Sequence, residues 1–252
     1  MSKISEVNPT FAIIWFISSS IIYGFFKYFM GFIDVKNLGE DKISDYLQNT
    51  KQNNNIKTNS DMLLYGFLFF IIISEFFINL SLTRTLCDGS PQFYIATFST
   101  IIPWTLMFTT IIALLRLFPG WLAPFSNTIG YGAAIIMGVT ELFNMLIKSN
   151  LEGLGPEAKK AITHITSDRS ILINEISIEN IDDFWKNMNS IFNTGVSKNI
   201  DLKLQLFNIV RAKTIISEVI WFILTGLLII SMSFNYIINS NCEKKLDDMK
   251  NV

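Results

Sequence analysis

Long apolar runs divided by short polar stretches set the plan of this chain. A helix that crosses about 30 Å of hydrocarbon needs ~20 mostly apolar residues. Four windows satisfy that length: Phe11 to Ile33, broken by Lys27; Met62 to Leu82, containing Glu75; Phe93 to Phe118, with Pro103 inside and Arg116 near its end; and Thr214 to Ile238, with Glu218 near its start. A fifth window, Ile129 to Ile147, is long enough, but Gly130, Gly132, Gly138, Glu141 and Asn144 leave it open to spanning, re-entering or lying against neighbouring helices. The pattern predicts an all-α polytopic membrane protein with four transmembrane helices, a fifth remaining open, and a helical extramembrane region. The first window reads as an uncleaved anchor, because Phe25, Phe26, Lys27 and Tyr28 stand where a signal peptide would carry small residues.

Five regions follow: the N-terminus and first anchor (1–35), a polar Asn/Lys-rich loop (36–61), central membrane helices (62–147) with a Pro/Gly/Trp turn at 119–128, an extramembrane amphipathic region (148–213), and the last membrane helix with a polar tail (214–252). With four spans, 15 of the 20 basic residues fall on one side and 5 on the other; five spans leave 11 and 9, which orients nothing. Charge therefore favours four spans with both termini on the less basic side. In the amphipathic region Ile181, Phe184, Trp185, Met188, Ile191 and Phe192 recur at three- and four-residue steps, predicting a helix with Asn180 as N-cap and Asp182 and Asp183 in its first turn. Its apolar face requires a cover, supplied by the same loop, by the bilayer surface or by another protein, and these six residues are the candidate partner-binding face. Residues 201–238 hold one glycine and no proline, which predicts a single helix of roughly 57 Å.

Composition narrows the function classes. Half of the 252 residues are hydrophobic and 16% are charged, against roughly 25% charged in soluble chains. The net charge is −1, so no overall field draws the chain to a polyanion. This argues against a disordered chain, a nucleic-acid binder and an ordinary soluble enzyme. One histidine (His164) and two cysteines offer little for metal or nucleophile chemistry, and nucleotide-loop, serine-hydrolase, zinc-protease and Cys-x-x-Cys motifs are absent from the sequence. The expectation is a protein without catalytic residues, metal site or cofactor.

Ionisable groups inside the spans carry the remaining chemistry. Glu75 lies roughly 20 Å into its helix by the rise per residue, with Asn79 and Thr83 following on the same face. It fits either a hydrogen-bonded helix contact or a proton or cation site. Arg116 and Glu218 fall at similar depth and are expected to pair or to reach the interface by snorkelling. Pro103 removes a backbone donor in mid-span and predicts a kink. In a four-span chain Cys87 and Cys242 share one side, which leaves a disulfide open; five spans would separate them.

One block resembles a known group. Cys87, Pro91-Gln92, Ile102-Pro103-Trp104, Phe118-Pro119-Gly120-Trp121-Leu122 and Pro124-Phe125-Ser126-Asn127-Thr128-Ile129-Gly130-Tyr131, spread over about 45 residues, resemble polytopic inner-membrane or minor capsid-associated proteins of large icosahedral nucleocytoplasmic DNA viruses, of the chlorella-virus or mimivirus-like kind. The resemblance implies a structural protein of the virion's inner membrane, which is host-derived during assembly. Its expected partners are the lipid bilayer, other virion or capsid proteins and other copies of itself, with no nucleic acid. No residue role is transferred. The expected function is to anchor or organise the capsid shell on the internal membrane through the extramembrane helical region. The alternative is a small ion or solute transporter or channel using Glu75.

Overall fold

The computed structural model describes residues 8–36, 54–87, 89–148, 155–156, 159, 163 and 169–240. Its main helices are α1 (Thr10–Lys36), α2 (Asn54–Leu86), α3 (Phe93–Leu117), α4 (Pro119–Ile136), α5 (Val139–Leu146), α6 (Arg169–Glu175), α7 (Ile181–Asn187) and α8 (Ile200–Asn239). No strand occurs among the described residues; Ile147 and Phe192 form an isolated antiparallel bridge. The chain is all-α, and α1, α2, α3 and α8 are long and apolar enough to cross a membrane. Their outward faces carry bare large apolar side chains, among them Phe11, Phe25, Phe69, Phe77, Leu106 and Leu228. Water penalises such surfaces and hydrocarbon does not.

Several boundaries differ from the sequence expectation. Of the polar loop expected over 36–61, Lys36 ends α1 and residues 54–61 open α2; residues 37–53 lie outside the described residues. The turn at 119–128 is instead helical. Phe118 breaks α3 with an extended backbone (φ −127°, ψ 74°), and α4 starts on Pro119, the position where a missing N–H costs a helix least. The fifth window is two helices, α4 and α5, bent by 79°. Gly138 makes the bend at φ 84°, a left-handed conformation costly to any residue with a Cβ. The long C-terminal helix is present as expected, 40 residues in α8, or ~60 Å.

Two compact units divide the chain. The first takes α1 to Tyr23, α2 from Ser60, α3, and α8 from Val219. Aromatic rings fill its middle. Phe16 meets Trp104 edge-on at 5.1 Å, Tyr23 stacks on Phe67 at 4.6 Å, and Phe108 lies 5.0 Å from Phe222. Gly226 admits Phe16 so closely that a Cβ there would stand 2.0 Å from the ring.

The second unit holds residues 24–59 and 120–218. Its core joins Val139, Leu142, Phe143 and Leu146 of α5 to Leu172 and Ile173 of α6, Ile181 and Trp185 of α7, and Leu206, Phe207 and Val210 of α8. The predicted amphipathic helix is shorter than its pattern. After Asn187 the chain makes a 3-10 turn over Met188–Ser190 and then extends. There Lys148 N–H donates to Ile191 O and Asn193 N–H to Leu146 O. Asn180 occupies the N-cap position without bonding the helix. Its side chain accepts from Ser177 N–H and donates to Glu175 O, tying the preceding turn.

Candidate functional site

The first unit contains a buried polar stripe. The four-residue spacing of Glu75, Asn79 and Thr83 puts them on one face of α2, and all three are buried. Asn79 Nδ2 donates to Thr100 Oγ1 at 2.8 Å, and Thr100 Oγ1 in turn donates to Ala96 O. Thr83 Oγ1 accepts from Gln92 N–H and closes the α2–α3 connection. Glu75 is 1% exposed, and its Oε1 has no hydrogen-bond partner, as is also true of Ser20 Oγ and Trp104 Nε1. A cleft of about 470 Å³ reaches Asn79. Its walls are partly polar (Asn8, Ser81, Thr85) and partly apolar (Phe11, Phe77, Phe234).

Pro103 acts through a partner that sequence reasoning missed. The proline has no N–H to give to Ser99 O one turn earlier, and Ser233 of α8 donates its hydroxyl to that carbonyl at 2.6 Å. The helix continues past the proline through a π turn at Trp104–Phe108. A serine inside an apolar helix was the available signal, but spacing alone did not say which carbonyl it would meet.

Arg116 and Glu218, expected to pair, each take another partner. Arg116 binds Asp61 and lies over the Tyr65 ring, while Glu218 binds Lys27. In the second unit Arg211 donates to Lys27 O at 2.6 Å and covers the Tyr28 ring. Cys87 is disulfide-bonded. Cys242, its expected partner, and His164 lie outside the described residues.

The block at 118–131 has a structural task in the second unit. Asn127 Oδ1 accepts from the buried Lys213 ammonium at 3.3 Å, which also donates to Ile173 O at 2.8 Å and Asn174 Oδ1 at 2.9 Å. Gly130 lies against the Lys213 backbone, where an added Cβ would meet the carbonyl at 3.0 Å. Ser217 donates to Leu122 O at 2.6 Å. Helix α4 is thus locked to α8 by small residues and satisfied polar groups.

The expected partner-binding face is a correction. Ile181, Trp185 and Phe192 are buried, and Phe184, Met188 and Ile191 are half-buried against the same core. The chain itself covers this face, because α5, α6 and α8 each bring an apolar side to it. Glu141, on α5, is exposed. Among the described residues no group of three or more metal-ligating side chains gathers. The chain matches no family model, no curated protein and no solved structure.

Proposed function

We propose that this protein is a structural membrane protein of a virion, held in the internal membrane by its apolar helices and carrying a folded polar unit that meets the capsid shell. The observation that carries the reading is the apolar core inside the second unit. A polar region that encloses sixteen buried residues of its own is a built body, suited to hold a fixed surface toward other proteins. The resemblance of the 87–131 block to inner-membrane proteins of large DNA viruses supplies the setting. Contact with shell proteins then falls to exposed polar residues such as Lys186 and Lys198, and no longer to the face of Phe184 and Trp185.

Amine-reactive cross-linking of particles purified from cells that express this chain in infection tests the proposal. The expected result is retention of the chain with the shell and cross-links from Lys186 or Lys198 to capsid proteins. Absence of the chain from purified particles would overturn it.

A further inference from the structure

The polar interior of the first unit suits a ligand rather than a partner protein, and this inference goes beyond the scaffolding role. Within the unit, ring contacts fix the register of the helices around Glu75. Tyr23 stacks on Phe67 at 4.6 Å and Trp15 lies 5.9 Å from Phe70, so α1 and α2 run antiparallel. Eight residues beyond Phe67 and five beyond Phe70, Glu75 therefore stands at the level of Thr10 to Trp15. The Asn79–Thr100 hydrogen bond and the Phe67–Phe108 contact put it between Thr100 and Trp104 on α3. The Phe67–Phe222 contact puts it level with Ile230 on α8. Ala12 and Ile230 both line the cleft, and Asn79 lines it one turn closer to the α2 terminus. Glu75 itself does not line the cleft; it stands one turn along α2 from Asn79, which does.

Below that level the rings of Phe108, Phe67, Phe222 and Tyr23 close the unit. The faces packed at the depth of Glu75 offer Ala12 and Phe16 from α1, Thr100 and Trp104 from α3, and Ile229, Ile230 and Ser233 from α8. None of these is titratable or charged; Tyr23 stands about two turns deeper, by Phe67. Among the described residues of this unit, Glu75 is the one buried side chain of a charged type. A carboxyl group in that position has to carry a proton or hold a cation, because among the described residues no basic group is packed against it. Within about one turn of that depth, Asn79, Thr100 and Ser233 carry oxygens of the hard type that small cations prefer.

We propose that Glu75 is an exchangeable site for a small monovalent cation, a proton or an alkali ion, reached from the cleft lined by Asn79 and closed on the other side by the aromatic layer. Dicyclohexylcarbodiimide, an apolar reagent that adds to protonated carboxyl groups, is the probe. The full chain in phosphatidylcholine vesicles is labelled between about pH 5 and pH 9 with NaCl, KCl or choline chloride, and the modified residue is located by peptide mass spectrometry. The expected result is a label on Glu75 that falls several-fold as pH rises. Protection by Na⁺ or K⁺ relative to choline at fixed pH assigns an alkali ion; dependence on pH alone assigns the proton. A Glu75 that takes no label at any pH, or whose label ignores both pH and salt, overturns the proposal.

Discussion

Ser233 is a small hydroxyl residue in an apolar helix, and its value lies in the carbonyl that Pro103 leaves without its helical donor. Replacing Ser233 by Ala exposes that buried carbonyl to an apolar interior, an expected loss of ~1–3 kcal/mol. In a Pro103→Ala background the restored N–H of residue 103 can serve Ser99 O, so the same serine change should cost much less. Denaturant unfolding in detergent of the four chains completes this cycle, and an equal cost in both backgrounds would show that the pair is not coupled. Gly226 has a steric role beside it. With Phe16 against its Cα, Gly226→Ala should destabilise the first unit by ~1–3 kcal/mol, and Phe16→Leu should recover part of that loss. A melting temperature unchanged by Gly226→Ala would contradict the close approach. Pro103 was legible in the sequence because proline announces its own defect. Ser233 and Gly226 were not, since their partners stand more than a hundred residues away.

At the scale of elements, the apolar spacing of 181–192 was legible and its consequence was not. Periodicity states that a face is apolar; it does not say whether the chain or a stranger covers it. Here α5, α6 and α8 cover it, and Trp185 and Phe192 stand 4.8 Å apart within the core. Trp185→Ala should therefore unfold or loosen the second unit, at ~3–5 kcal/mol. Limited proteolysis should show new cleavage between 169 and 210 while the apolar spans stay protected. An unchanged digestion pattern with loss of a binding partner would return the face to an intermolecular role. The fifth window shows the same limit. Its mean apolarity satisfied a span, but one left-handed glycine at 138 divides it, and α5 spends its apolar face on the second unit's core.

For the whole molecule, the four long helices were legible because hydrocarbon thickness demands about twenty apolar residues in a row, a requirement few soluble segments meet. The buried polar stripe was half legible: the i, i+4 spacing aligned Glu75, Asn79 and Thr83, whereas the cleft beside Asn79 depends on two other chain segments, residues 8–12 and α8. If each of the four long helices crosses the bilayer once and the bent α4–α5 pair does not, Lys186 lies on one side and Ser90 and Ser240 lie on the other. Labelling single cysteines with a membrane-impermeant maleimide in sealed vesicles tests this topology, using Lys186→Cys, Ser90→Cys and Ser240→Cys in a chain with Cys87 and Cys242 replaced by serine. Four spans require that positions 90 and 240 react from one side and position 186 from the other. Reaction of positions 90 and 240 from opposite sides would contradict the four-span anchor, and with it the fixed presentation of the polar unit on which the proposed role depends.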